Sequence, residues 1–126
     1  MLHHVEINVS DLGRSRDFWE WFLTRLGYEL YQDWEKGFSF KQGKTYVVFV
    51  QTEARFLDTP YHRKATGLNH LAFHAASPDE VDEMARLLKQ KGVRLLYEDR
   101  YPHAGGPEHY AVFFEDPDRI KVEFAC

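Results

Sequence analysis

His4 and His70 stand 66 residues apart in two similar stretches, LHHVEINV (2–9) and LNHLAFHA (68–75), and Glu123 lies in the last apolar run, IKVEFA (120–125). All three stretches alternate as β-strands do. In the first, Val5, Ile7 and Val9 share one face, while His4, Glu6 and Asn8 share the other. Two imidazoles and a carboxylate form a donor set suited to a borderline divalent metal, with coordination positions left for water or substrate. A sheet with one wet face would also alternate. That accounts for the pattern but not for the residue types: with 7 His in 126 residues, matching histidines in two strands arise by chance only occasionally.

The elements that must position these groups repeat as well. After the first strand, Ser10 and Asp11 offer helix caps. Phe18, Trp19, Phe22, Leu23 and Leu26 then make an apolar stripe that stops at Gly27. YELYQDW and two further strands, Phe38–Lys41 and Thr45–Val50, follow around a QGK turn. The second half runs the same course. A strand at Asn69–His74 precedes Ser77-Pro78-Asp79-Glu80, a capping box with proline at the first helical position. Val81, Met84, Ala85 and Leu88 form its buried stripe, and Gly92 ends the helix as Gly27 ends the first. Strands at 94–97, 110–115 and 120–125 complete a second βαβββ unit. The expected fold is α+β: module 1 over residues 1–51, a linker over 52–67 and module 2 over 68–126, in one domain. Neither small sheet with its single helix buries its apolar side alone, so the two are expected to pack together.

The chain is one domain in length and 44% hydrophobic, with 16 basic against 20 acidic residues, a net charge of −4. Its Lys and Arg are scattered, which argues against nucleic acid as a partner. No apolar run approaches membrane-span length and no signal-peptide pattern opens the sequence, so a cytoplasmic protein is expected. Cys126, the single cysteine, rules out a disulfide framework and a CxxC pair. Aromatic residues make up 16% of the chain, enough to line a pocket as well as a core.

HHVEINVSDLGRSRDFW, GLNHLAFHA and FFEDPDRIKVEF resemble the opening strand and helix, the start of the second module and the closing hairpin of the vicinal-oxygen-chelate superfamily. That superfamily includes glyoxalase I, fosfomycin-resistance enzymes, extradiol dioxygenases, methylmalonyl-CoA epimerase and metal-free bleomycin-resistance proteins. The resemblance covers the whole chain. It implies a curved mixed-sheet cup with helices on the outer face. It also implies His4, His70 and Glu123 as ligands to one divalent metal (Ni, Zn, Mn or Fe), and a small oxygenated or carbonyl substrate chelated through two oxygens. Lyase, isomerase or group-transfer chemistry follows, with an extradiol-type dioxygenase or a metal-free antibiotic-binding protein as alternatives. A homodimer is implied too, and by analogy with the three-ligand fosfomycin-resistance enzymes one in which His4 comes from one subunit and His70 with Glu123 from the other. Three departures stand out. The fourth ligand usual in glyoxalase I, a glutamate on the last strand of module 1, has only Val48 or Phe49 in its place. A tyrosine common ten residues before the carboxylate is Phe113. The DPDG turn reads DPDR.

The loop EDRYPHAGGPEHY (98–110) is long beside its counterpart in module 1, and His103, Glu108, His109 and Tyr110 bring proton-transfer groups to it. His109 is the leading acid/base candidate, because alternation places it on the face of Ala111 and Phe113. A solvated turn with incidental histidines is the competing reading. Tyr110 and Glu6 are the other catalytic candidates, Glu6 because it shares His4's face and could orient a ligand or bound water. His74 could also reach the cavity, and His3 and His62 have no assigned role.

Overall fold

A computed structural model describes residues 1–126. The chain divides into two compact units, Met1–Pro60 and Tyr61–Cys126. The first holds β1 (His4–Val9), α1 (Leu12–Arg25), β2 (Glu29–Trp34), β3 (Gly37–Gln42) and β4 (Thr45–Gln51). The second holds β5 (His70–His74), α2 (Pro78–Gln90), β6 (Leu95–Leu96), β7 (Ala111–Glu115) and β8 (Lys121–Ala125). Each unit is one helix and one four-stranded mixed sheet, ordered β1-β4-β3-β2 in the first and β5-β8-β7-β6 in the second. The α+β repeat expected from the sequence is therefore present.

The same local chemistry builds both. Asp11 caps α1 by accepting from the Arg14 backbone N–H at 3.1 Å, and Ser77 caps α2 by accepting from Glu80 N–H at 3.2 Å. The Glu80 carboxylate reaches back to the N–H of Ala76, one residue outside the usual capping-box partner. Both helices stop where glycine adopts a left-handed backbone, Gly27 at φ 90° and Gly92 at φ 78°.

In each unit the first strand pairs in parallel with the last, which puts it at the sheet edge beside the strand reached last in the chain. The remaining pairs are antiparallel. Register fixes what each face carries, because directly paired residues point the same way. In unit 1, Phe49 pairs with Ile7 and Phe38, and its ring meets Trp19 of α1 at 4.8 Å. Val48 pairs with Glu6 and Ser39, so it lies on the opposite face with His4. In unit 2, Val112, Phe114, Val122 and Phe124 are buried together with Val81, Met84, Ala85 and Leu88 of α2. Ala111, Phe113, Lys121 and Glu123 occupy the other face.

Two strand expectations need correction. The strand expected over 94–97 is only Leu95–Leu96, because Tyr97 takes a left-handed conformation at φ 59° that no strand accommodates. The strand expected from Tyr110 begins at Ala111, although Tyr110 and Cys126 still exchange backbone hydrogen bonds at 3.3 and 3.0 Å. The unusual arginine of the DPDR turn also has a local account. Arg119 adopts φ 65°, and from there its Nε donates to the buried Glu115 carboxylate at 3.1 Å.

Candidate functional site

Glu123 is central to unit 2. β8 lies between β5 and β7, and Glu123 is directly paired with Ala72 on one side and Phe113 on the other. Its side chain is buried, 5% exposed, and a carboxylate so placed needs partners for both oxygens. An imidazole nitrogen stands beside each. Nε2 of His70 lies 3.1 Å from Oε2, and Nε2 of His109 contacts Oε1.

His70 is oriented by its neighbour, whose Asn69 Oδ1 stands 2.7 Å from the ring Nδ1. This fixes the ring and leaves Nε2 directed at Glu123. The equivalent position in unit 1 repeats the device with a different residue. Nδ1 of His3 lies 2.8 Å from Nδ1 of His4, and the His4 ring stacks on Tyr46 at 4.8 Å, within 5° of parallel. In both units, then, the residue just before the histidine holds Nδ1. Nε2 is the ring nitrogen that this neighbour leaves available to a ligand. His3, which the sequence left without a role, is the counterpart of Asn69.

His109 reaches Glu123 from the 98–110 loop rather than from a strand, yet on the face that alternation predicts. The loop is held at several points. Tyr101 and Tyr110 both donate their hydroxyls to Oδ1 of Asp82 on α2, Tyr110 at 2.8 Å. These bonds hold the Asp82 carboxyl below the usual carboxylate range. They raise the Tyr110 phenol, and burial followed by Asp82 raises that of Tyr101. Nδ1 of His103 contacts the His109 carbonyl at 3.2 Å. Tyr110, expected as a catalytic group, thus has its hydroxyl on the α2 carboxylate and not beside Glu123. Its ring is part of the loop's anchor. Glu6 is exposed on β1, and His74 is exposed at the end of β5, paired with Ala125.

Two residues that the sequence reading passed over share the face of Glu123. Lys121, two positions earlier on β8, donates from Nζ to the Tyr97 hydroxyl at 3.4 Å and lies over the Tyr97 and Phe113 rings at 5.5 and 6.0 Å. The alternation that singled out Glu123 also selects Lys121. Tyr97 carried no such signal, because it read as strand. Its ring stands edge-on to Phe113 at 5.4 Å, so a phenol adjoins the position where Phe113 replaces tyrosine.

No three His, Cys, Asp or Glu side chains form a ready-made metal cluster in the chain. The pair in unit 2 nevertheless fits one side of a metal site. Two donors each about 2.1 Å from an ion, at roughly 90–110° to one another, would lie about 3.0–3.4 Å apart. The His70 and Glu123 atoms stand at 3.1 Å.

Comparison with known proteins agrees with this architecture. The chain is 58% identical over 125 residues to the uncharacterized protein YqjT of Bacillus subtilis, covering 99% of this chain and 98% of that one. It is 30% identical over 122 residues to the glutathione transferase FosA of Serratia marcescens, covering 97% and 77% respectively. A crystal structure of a candidate glyoxalase from Bacillus halodurans superposes with a TM-score of 0.98 at 65% identity, over 99% of this chain and 94% of the other. No helix is long and apolar enough to cross a membrane. Residues 1–124 match the profile of the Glyoxalase/Bleomycin resistance protein/Dioxygenase superfamily, and the chain belongs to that superfamily.

Proposed function

We propose that the protein is a metal-dependent enzyme that chelates a small oxygenated or carbonyl substrate through two oxygens and promotes lyase, isomerase or group-transfer chemistry on it. The observation that carries this reading is the pair of imidazole Nε2 and carboxylate oxygen at ligand-to-ligand spacing, 3.1 Å apart, with the imidazole oriented from behind by Asn69. A binding cup without a metal has no need of a buried glutamate flanked by histidines.

His70 and Glu123 would hold one divalent ion, with His4 as the third ligand. Such an ion supplies Lewis-acid stabilisation of charge developing on a substrate oxygen. The remaining work falls to the chain. His109 is the group positioned to hold a proton at Oε1 of Glu123. Lys121 and Tyr97 offer a cation and a phenol on the same face for a polar or anionic substituent. Glu6, on the face of His4, is proposed to orient a ligand or bound water from unit 1. Similarity to a glutathione transferase supports group transfer to an electrophilic substrate as the first reaction class to assay.

The test is binding of a bidentate oxygen probe, acetohydroxamate, to metal-stripped protein and to protein reloaded with Ni²⁺, Zn²⁺, Mn²⁺ or Fe²⁺. The proposal expects binding only after loading. Equal binding to the stripped protein would favour a metal-free binding protein. Oxygen consumption with a catechol, seen only with Fe²⁺, would favour the dioxygenase.

A further inference from the structure

We infer that His109 is a positioning residue for the metal carboxylate: seated on Gly105, it holds Oε1 of Glu123 and so presents the glutamate to a metal through Oε2 alone. The inference rests on the metal-site reading above and names a role for a residue outside the proposed ligand set.

The two oxygens of Glu123 are divided between two rings, His70 on Oε2 and His109 on Oε1. An ionised carboxylate only accepts hydrogen bonds, so the His109 contact requires the proton on its Nε2. A glutamate free at both oxygens can ligate with one or with both. With Oε1 occupied by an N–H donor, one-oxygen ligation is favoured, and one more position on the ion is left for a substrate that itself brings two oxygens.

The loop is shaped for this contact. A Cβ added at Gly105 would lie 2.5 Å from Cδ2 of the His109 ring, closer than real Cβ contacts allow. The imidazole therefore rests where only glycine leaves room. The next residue, Gly106, turns the chain at φ 129°, and its carbonyl accepts the His109 backbone N–H at 3.1 Å. The two tyrosine hydroxyls on Asp82 tie the same loop to α2. Gly105→Ala thus becomes a probe that displaces His109 without removing it.

The experiment has a metal arm and a metal-free arm. In the first, calorimetric titration with Ni²⁺ compares the wild type with His109→Ala, His109→Gln and Gly105→Ala. The expected result is an affinity loss of about 10–100-fold in His109→Ala and Gly105→Ala. In His109→Gln, whose amide restores a donor near Nε2, affinity returns toward wild type. In Co²⁺-loaded protein the visible ligand-field spectrum, which reports the number and type of ligands, should be the same in wild type and His109→Gln. Wild-type affinity in both His109→Ala and Gly105→Ala, or a ligand-field spectrum in His109→Gln that has lost a nitrogen ligand, would overturn the inference, the latter by making His109 a ligand. In the second arm, ¹⁵N NMR of the metal-stripped protein should find the His109 proton on Nε2, with a shift that changes in Glu123→Gln. A proton on Nδ1 would overturn it. A wild type that takes up no metal defeats the metal-enzyme reading, and the second arm then decides the His109 contact alone.

Discussion

Val48 and Phe49 are adjacent, yet a glutamate placed at each should have opposite consequences. Phe49 is fully buried, its ring against Trp19 at 4.8 Å and Phe38 at 5.1 Å. Removing such a ring costs about 3–5 kcal/mol, and a carboxylate left unpaired in its place adds several kcal/mol more. The sum is comparable to the roughly 5–15 kcal/mol that holds a domain together. Phe49→Glu should therefore fail to fold, with or without metal. Val48 lies on His4's face, directly paired with Glu6. Val48 is also buried, at 2% exposed, so Val48→Glu loses about 2 kcal/mol of apolar burial, carries a desolvation cost of its own and meets the like charge of Glu6, which predicts a lower Tm in metal-free buffer. What separates it from Phe49→Glu is the face on which the carboxylate lies. If that face supplies a metal ligand, the new carboxylate joins it, and a metal at 100 times its Kd returns about 2.7 kcal/mol. Thermal melts followed by circular dichroism, with and without Ni²⁺, read both variants. Val48→Glu should gain more from Ni²⁺ than the wild type does. A folded Phe49→Glu that binds Ni²⁺ more tightly than Val48→Glu would refute the strand register and the face assigned to His4.

Asn69→Ala and His3→Ala should each weaken metal binding about 10–100-fold by releasing a ligand ring, measured by calorimetry; unchanged affinity in both would remove the orienting role of the preceding residue. The Asp82 clamp should be pH-bounded. A carboxyl held low contributes stability above its unfolded value near about 4 and loses it as pH falls through the folded value, while a raised phenol keeps its contribution below about 10 and loses it as pH rises through its own. The Asp82 carboxyl and Tyr101 phenol ¹³C NMR shifts should hold steady between those limits, and Asp82→Asn should abolish the acid step at Tyr101 and speed proteolysis within 98–110 several-fold. The exchanged dimer is tested by unfolding and refolding His4→Ala together with Glu123→Ala. One intact site per heterodimer should regain metal binding, and no regain would refute the exchange.

The repeat was legible because it is written in local chemistry. Caps at Asp11 and Ser77, stops at Gly27 and Gly92, and period-2 strands carry their own signals, and all lie where that chemistry places them. Glu123 and His70 were legible because adjacent parallel strands bring one face's residues together. Backbone conformations that sequence does not encode strongly were not. Tyr97 reads as strand, but its left-handed φ ends β6 and turns its ring toward Phe113 and Lys121. His109 was found by an alternation that does not continue into its loop; the fold at Gly105 and Gly106 brings it to Glu123 instead. Tyr110 had the right chemistry, but the α2 carboxylate took its hydroxyl. The choice between Val48 and Phe49 needed the register of β4 against β1 and β3, which depends on pairing distant in sequence.

His70 and Glu123 are proposed to hold a metal ion. Elemental analysis of the purified protein, beside His70→Ala prepared the same way, tests this most directly. About one divalent ion per wild-type chain is expected, with most of it lost in His70→Ala, because a three-ligand site reduced to two donors no longer binds tightly. A folded wild type that neither carries nor takes up Ni²⁺, Zn²⁺, Mn²⁺ or Fe²⁺, or a His70→Ala variant that retains its full metal content, would contradict it.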